Sequence, residues 1–138
     1  MPSILFIFGG SVFGILGLVH ALYTFTDISR PRHLVPDNPA LIEAMRASGL
    51  RLTRGDTTMW RAWVGFNFSH SLGVVMFGLG CVGIGLSLGS PALPKAVLFV
   101  PVAIGAIYFW LAIRYWFRIP AIGIAVATLC FIIGWLVY

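Results

Sequence analysis

The sequence predicts an all-α integral membrane four-helix bundle, with both termini outside and a short surface helix in its first cytoplasmic loop. Three observations carry this. Four apolar segments, residues 4–25, 59–86, 96–113 and 119–138, each come near the roughly 20 residues a helix needs to cross the hydrocarbon core. Only 9% of the residues are charged and 59% are hydrophobic, whereas a soluble domain carries roughly a quarter charged. Eight of the nine basic residues and all four acids fall on what would be a single face. Arg30, Arg32, Arg46, Arg51, Arg54 and Arg61 surround the first loop, Arg114 and Arg118 flank the last turn, and Lys95 stands alone.

An excess of arginine marks the cytoplasmic side, so loop 27–58 and the turn 114–118 are expected inside. The localisation this implies is a bacterial inner membrane, crossed several times by a single domain, 1–138. The first span lacks a basic n-region and a small-residue cleavage site, so it is expected to be retained. In the loop, Asn38 before Pro39 reads as a helix cap followed by proline at the first helical position, with Gly49 as the stop. Leu41, Ile42 and Met45 then form one apolar strip, suited to a helix on the membrane surface or packed under the bundle. Asp56 or Thr57 is the expected cap of the second span. Pro120 suits the first turn of the fourth span. Trp60, Trp63, Tyr115 and Trp116 mark one interface, and Trp135 and Tyr138 the other.

Net charge of +5 does not indicate a nucleic-acid partner, because the arginines flank apolar spans and alternate with acids instead of forming a continuous stripe. The expected partners are membrane lipids, whose anionic headgroups attract a basic residue by about 1 kcal/mol. Cys81 and Cys130 fall in separate spans and read as buried free thiols.

The second span carries two stripes. Gly65, Ser69, Gly73 and Gly80 form a small-residue ridge, matched on the first span by Gly10, Gly14, Gly17 and Ala21, and close helix packing or a homo-oligomer contact is expected through these faces. On the opposite side lie Trp63, Asn67, His70, Ser71 and Cys81. Polar groups inside a bilayer usually have a partner or a job. At 1.5 Å per residue, His20 and Asn67 lie roughly 10 Å from the cytoplasmic ends of their spans and His70 roughly 15 Å. These three could therefore share one pocket, with Tyr23 on the His20 side and Arg114 near the mouth. The readings are a network that sets helix register, or a pocket for a lipid or amphipathic molecule. Haem held by His20 and His70 fits poorly, because their levels differ. Zinc lacks a third ligand in the spans. The spans contain no Asp or Glu, which argues against a transporter driven through buried carboxylates. His33, between Pro31 and Pro36, is expected to be solvated or to touch headgroups.

The run from Thr57 to Gly73, TTMWRAWVGFNFSHSLG, with Pro39-Ala40-Leu41-Ile42-Glu43-Ala44-Met45 before it, resembles a family of small uncharacterised four-helix bacterial membrane proteins. The layout is also similar to that of the membrane-associated proteins of eicosanoid and glutathione metabolism. Arg61-Ala62, Asn67 and His70 echo the start of their second helix, and Tyr108, Arg114 and Tyr115 the end of their third. That resemblance implies glutathione, with Arg61 and Asn67 touching the tripeptide and Arg114 favouring its thiolate. This chain differs in having His70 where that pattern has an acid, and in the longer step from Ala62 to Asn67. The leading expectation is a binding site for a lipid or amphipathic ligand formed by His20, Tyr23, Arg61, Trp63, Asn67, His70 and Arg114. A glutathione-type enzyme and a non-catalytic accessory or oligomer-forming subunit are the alternatives.

Overall fold

The computed structural model describes residues 1–53, 55–88 and 93–138. Arg54 and most of the turn expected between the second and third spans lie outside the described residues. Among those described, the chain is all-α: α1 Pro2–Ser29, α2 Pro39–Ala47, α3 Met59–Ser87, α4 Lys95–Tyr115 and α5 Arg118–Leu136. Four of these, α1, α3, α4 and α5, are long and apolar enough to cross a membrane. A 3-10 turn at Arg51–Thr53 precedes α3, and Gly55, at φ 103°, bends the chain toward it. A lone antiparallel bridge joins Gly49 to Thr58.

Asn38 caps α2 by accepting from the Ala40 amide, with Pro39 in the first turn, as its spacing predicts. No residue of α2 is buried, which suits a surface helix. The cap of α3 is Thr58, whose hydroxyl accepts from the Arg61 amide at 3.3 Å. That corrects the expectation of Asp56 or Thr57: the residue directly before Met59 is the one whose oxygen reaches the third helical N–H. Helix α1 continues past residue 25 to Ser29, and its polar residues there bond to its own backbone. Thr24 donates to the His20 carbonyl at 2.9 Å, Thr26 to Tyr23 at 2.9 Å, and Ser29 to Thr26 at 3.4 Å.

The chain clusters into two compact units, and α1 and α3 each contribute to both. The first comprises Met1–Leu16 and Val74–Tyr138. Its centre is aromatic. Phe13 meets Phe77 edge-on at 4.8 Å, Tyr108 at 5.6 Å and Phe131 at 6.0 Å, while Phe6 stacks on Phe131 at 5.6 Å. All four long helices thus contribute a ring to one cluster. Such pairs add about 0.5–1.5 kcal/mol each beyond the area they bury. At one end, Trp135 donates to the Lys95 carbonyl at 3.2 Å and Tyr138 to that of Leu93 at 3.1 Å. The Lys95 ammonium lies 5.5 Å from the Trp135 ring.

The α1–α3 contact in this unit runs through glycine, but through different glycines on α3 than the spacing suggests. A methyl on Gly78 would lie 2.6 Å from the Gly10 carbonyl oxygen and 2.6 Å from the Gly14 nitrogen, and one on Gly85 would lie 2.8 Å from the Ser3 carbonyl. Gly65, Gly73 and Gly80 have nothing within 4 Å, and with Ser69 they are exposed. The reason lies in the period. Asn67, Ser71, Val74, Gly78, Cys81 and Gly85 are all buried. They alternate four- and three-residue steps, which keeps one seam facing a partner helix. Asn67 and Ser71 cannot face lipid cheaply, so they turn this seam inward and leave the other glycines outside. Helix α3 therefore has one buried face, not two.

On α5, Thr128 is buried and its hydroxyl has no hydrogen-bond partner among the described residues. It faces Gly105 of α4, where a methyl would come within 2.7 Å of that oxygen. An orphaned buried hydroxyl costs about 1–3 kcal/mol. Thr128→Val, which keeps the shape, is expected to raise thermal stability in detergent by about 1 kcal/mol. A fall in stability would mean that the hydroxyl is bonded. Cys81 and Cys130 are free thiols.

Candidate functional site

The second unit, Gly17–Gly73, holds most of the residues singled out above. The buried face of α1 continues into it with Gly17, His20, Thr24 and Asp27, of which His20 is half-buried and the others buried. Asn67 Nδ2 donates to the Trp63 carbonyl at 2.8 Å. This turns Oδ1 toward His20, whose Nε2 therefore donates to it at 2.9 Å. Ser71 donates to the Asn67 carbonyl at 2.8 Å. The His20 and His70 rings touch edge to face, with centroids 5.2 Å apart and planes at 70°. Phe66 lies nearly parallel to His70, with ring centroids 6.3 Å apart. The structure thus brings His20, Asn67 and His70 together. The direct contact of the two imidazoles leaves no gap for a macrocycle between them. Among the described residues, no group of three His, Cys, Asp or Glu side chains could hold a metal.

Tyr23 pairs elsewhere. Its ring stacks on His33, with centroids 4.5 Å apart and planes at 1°. Beneath that stack lies Asp27, the residue that sequence reasoning missed. It is fully buried, in the last turn of α1, and its carboxylate organises the chain that follows. Oδ1 accepts from the Arg32 amide at 2.8 Å and the His33 amide at 3.0 Å, and Oδ2 from the Leu34 amide at 2.8 Å. His33 Nδ1 lies 3.2 Å from Oδ1 and 3.4 Å from the Thr26 hydroxyl oxygen. Asp27 occupies the next position of the three-and-four seam after His20 and Thr24, and that was the legible signal.

Arg61 and Trp60 line a shallow groove with Ile28, Val64 and Gly65. Trp60 stacks on Trp63 at 5.2 Å, and the Arg46 guanidinium, itself 3.3 Å from Glu43, lies 5.1 Å over Trp60. This cation-π contact ties the surface helix α2 to the start of α3. Arg114 belongs to the first unit. It sits in the last turn of α4, where a cation suits the helix dipole, 5.9 Å from the Tyr115 ring. Tyr108 packs against Phe13 and Phe77 in the aromatic core.

Four helices long and apolar enough to cross a membrane, two of which carry internally bonded polar side chains, define the class: a multi-pass helical membrane protein. No family model, curated protein or solved structure matches this chain.

Proposed function

We propose that this is a multi-pass protein of a bacterial inner membrane that binds a lipid or other anionic amphiphile at the cytoplasmic leaflet, with the arginine-rich face inside. The supporting observation is the groove at the start of α3. Ile28, Val64 and Gly65 offer apolar walls to a chain, Trp60 an indole at interface depth, and Arg61 a cation for the head. The His20–Asn67 pair supports a different role. His20 Nε2 is bonded to Asn67 Oδ1 and Asn67 Nδ2 to the Trp63 carbonyl, so the pair ties α1 to α3, and we place the ligand nearer Arg61 than His70. The glutathione reading uses Asn67 as a contact for the tripeptide, and an Asn67 already bonded to His20 and to the Trp63 carbonyl favours it less.

Native mass spectrometry of the protein released from mixed-lipid nanodiscs tests this. Arg61→Gln is expected to cut retention of anionic lipid about fivefold, roughly 1 kcal/mol, with unfolding unchanged. Asn67→Leu is expected to keep retention and lose about 1 kcal/mol of stability, the scale of an interhelical hydrogen bond. Unchanged retention in Arg61→Gln overturns the reading. Lost retention in a fully stable Asn67→Leu moves the ligand to the histidines.

One observation favours a second reading, an oligomer-forming subunit. The exposed ridge of Gly65, Ser69, Gly73 and Gly80 is free for another helix. Gly73→Leu should then dissociate a cross-linkable dimer without lowering monomer stability. A protein that stays monomeric at high concentration in lipid removes this reading.

A further inference from the structure

The Asp27–His33 pair is used by none of these readings, and its geometry sets the chemistry of one nitrogen. Asp27 takes three backbone N–H bonds and so acts as a carboxylate acceptor. The Thr26 hydroxyl gives its proton to the Tyr23 carbonyl at 2.9 Å, so its oxygen also faces His33 Nδ1 as an acceptor. Nδ1 therefore carries the hydrogen, and the neutral ring presents Nε2 as a lone pair. Stacking on Tyr23 holds the ring plane, while the His33 side chain stays 40% exposed. The three amide bonds hold residues 32–34 around the carboxylate, and Arg30 and Arg32, just before and within this strap, are exposed with it.

A fixed proton acceptor on the same short strap as two exposed arginines suits a particular anion. We propose that His33, with Arg30 and Arg32, forms a site for a phosphate monoester. Such a group loses its second proton near about pH 6, so at neutral pH it still carries P–OH in part. That hydrogen passes to, or is shared with, His33 Nε2, leaving P–O⁻ against imidazolium, while the guanidiniums bond the remaining oxygens. A phosphodiester has no proton to give and meets only the lone pair of the neutral ring. Asp27 is the positioning residue, since it sets the tautomer.

The monoester can be a lipid headgroup or free phosphate. The test uses the full chain in phosphatidylcholine nanodiscs with phosphatidic acid, with the diester phosphatidylglycerol at equal mole fraction, or with inorganic phosphate in solution. The readouts are the ring ¹⁵N shifts of His33 and lipid retention. Phosphatidic acid should move the Nε2 resonance and phosphatidylglycerol should not, and His33→Gln should cut the preference for phosphatidic acid about tenfold. Asp27→Asn should weaken the same preference and move the resting ring shifts. If inorganic phosphate reproduces the shift, free phosphate is the ligand; if only phosphatidic acid does, the headgroup is. Both support the site. Equal shifts with monoester and diester, or an unchanged preference in a folded His33→Gln protein, overturn it. This site shares no residue with the Arg61 groove, so Arg61→Gln should leave the His33 shifts alone.

Discussion

Gly78→Ala is expected to destabilise the protein by about 3 kcal/mol, whereas Gly80→Ala, two residues further along the same helix, should stay within about 0.5 kcal/mol of wild type. The added methyl at Gly78 meets the Gly10 oxygen and the Gly14 nitrogen, both at 2.6 Å. Both are backbone atoms of α1, so neither can rotate away as a side chain would. The two helices must separate, and every contact they share near Phe13 and Phe77 is loosened with them. At Gly80 nothing lies within 4 Å, and alanine should even recover some of the helix propensity that glycine forfeits. Unfolding by heat or by sodium dodecyl sulfate from mild detergent micelles measures the pair. Equal losses at both positions would show that α1 does not pack along the Gly78 seam.

Asp27→Ala should cost about 2–3 kcal/mol, since it removes a buried carboxylate that accepts three N–H bonds, which water reaching the exposed strap replaces only in part. The amides of Arg32, His33 and Leu34 all lose their partner at once. Hydrogen exchange should therefore accelerate at those three amides, and the Tyr23–His33 stack should come apart. Asp27→Asn keeps one oxygen acceptor but turns an NH₂ toward the same donors, so an intermediate loss is expected. A stable Asp27→Ala protein with slow exchange across 32–34 would show that the strap is held by something else.

Much of this molecule is legible from local pattern. The four long helices follow from apolar segments of the right length, and the α2 cap follows from Asn38 and Pro39 because both act within one turn. The meeting of His20, Asn67 and His70 follows from counting depth along two antiparallel spans. The α3 cap was misplaced by one or two residues because Asp56, Thr57 and Thr58 all carry a suitable oxygen, and only backbone geometry distinguishes them. The helix seam was harder. Glycines recur on α3 at positions 65, 73, 78, 80, 83 and 85, so several ridges can be drawn, and composition alone cannot say which one meets α1. Asp27 reads as the start of a loop because it is an acid that follows an apolar run.

The sequence alone determined what is additive along the chain: apolar length, the distribution of arginines, the caps of short elements and the position of each polar residue along its helix. Only the tertiary structure decided which face of each helix turned inward and which polar group found a partner. The inward face is set by the best joint solution for every helix, with the polar residues Asn67 and Ser71 weighing against the glycines. Asp27 is stable in burial because three amides from a later segment converge on it. That convergence lies within residues 27–34, yet it exists only once the strap has folded back over the end of α1.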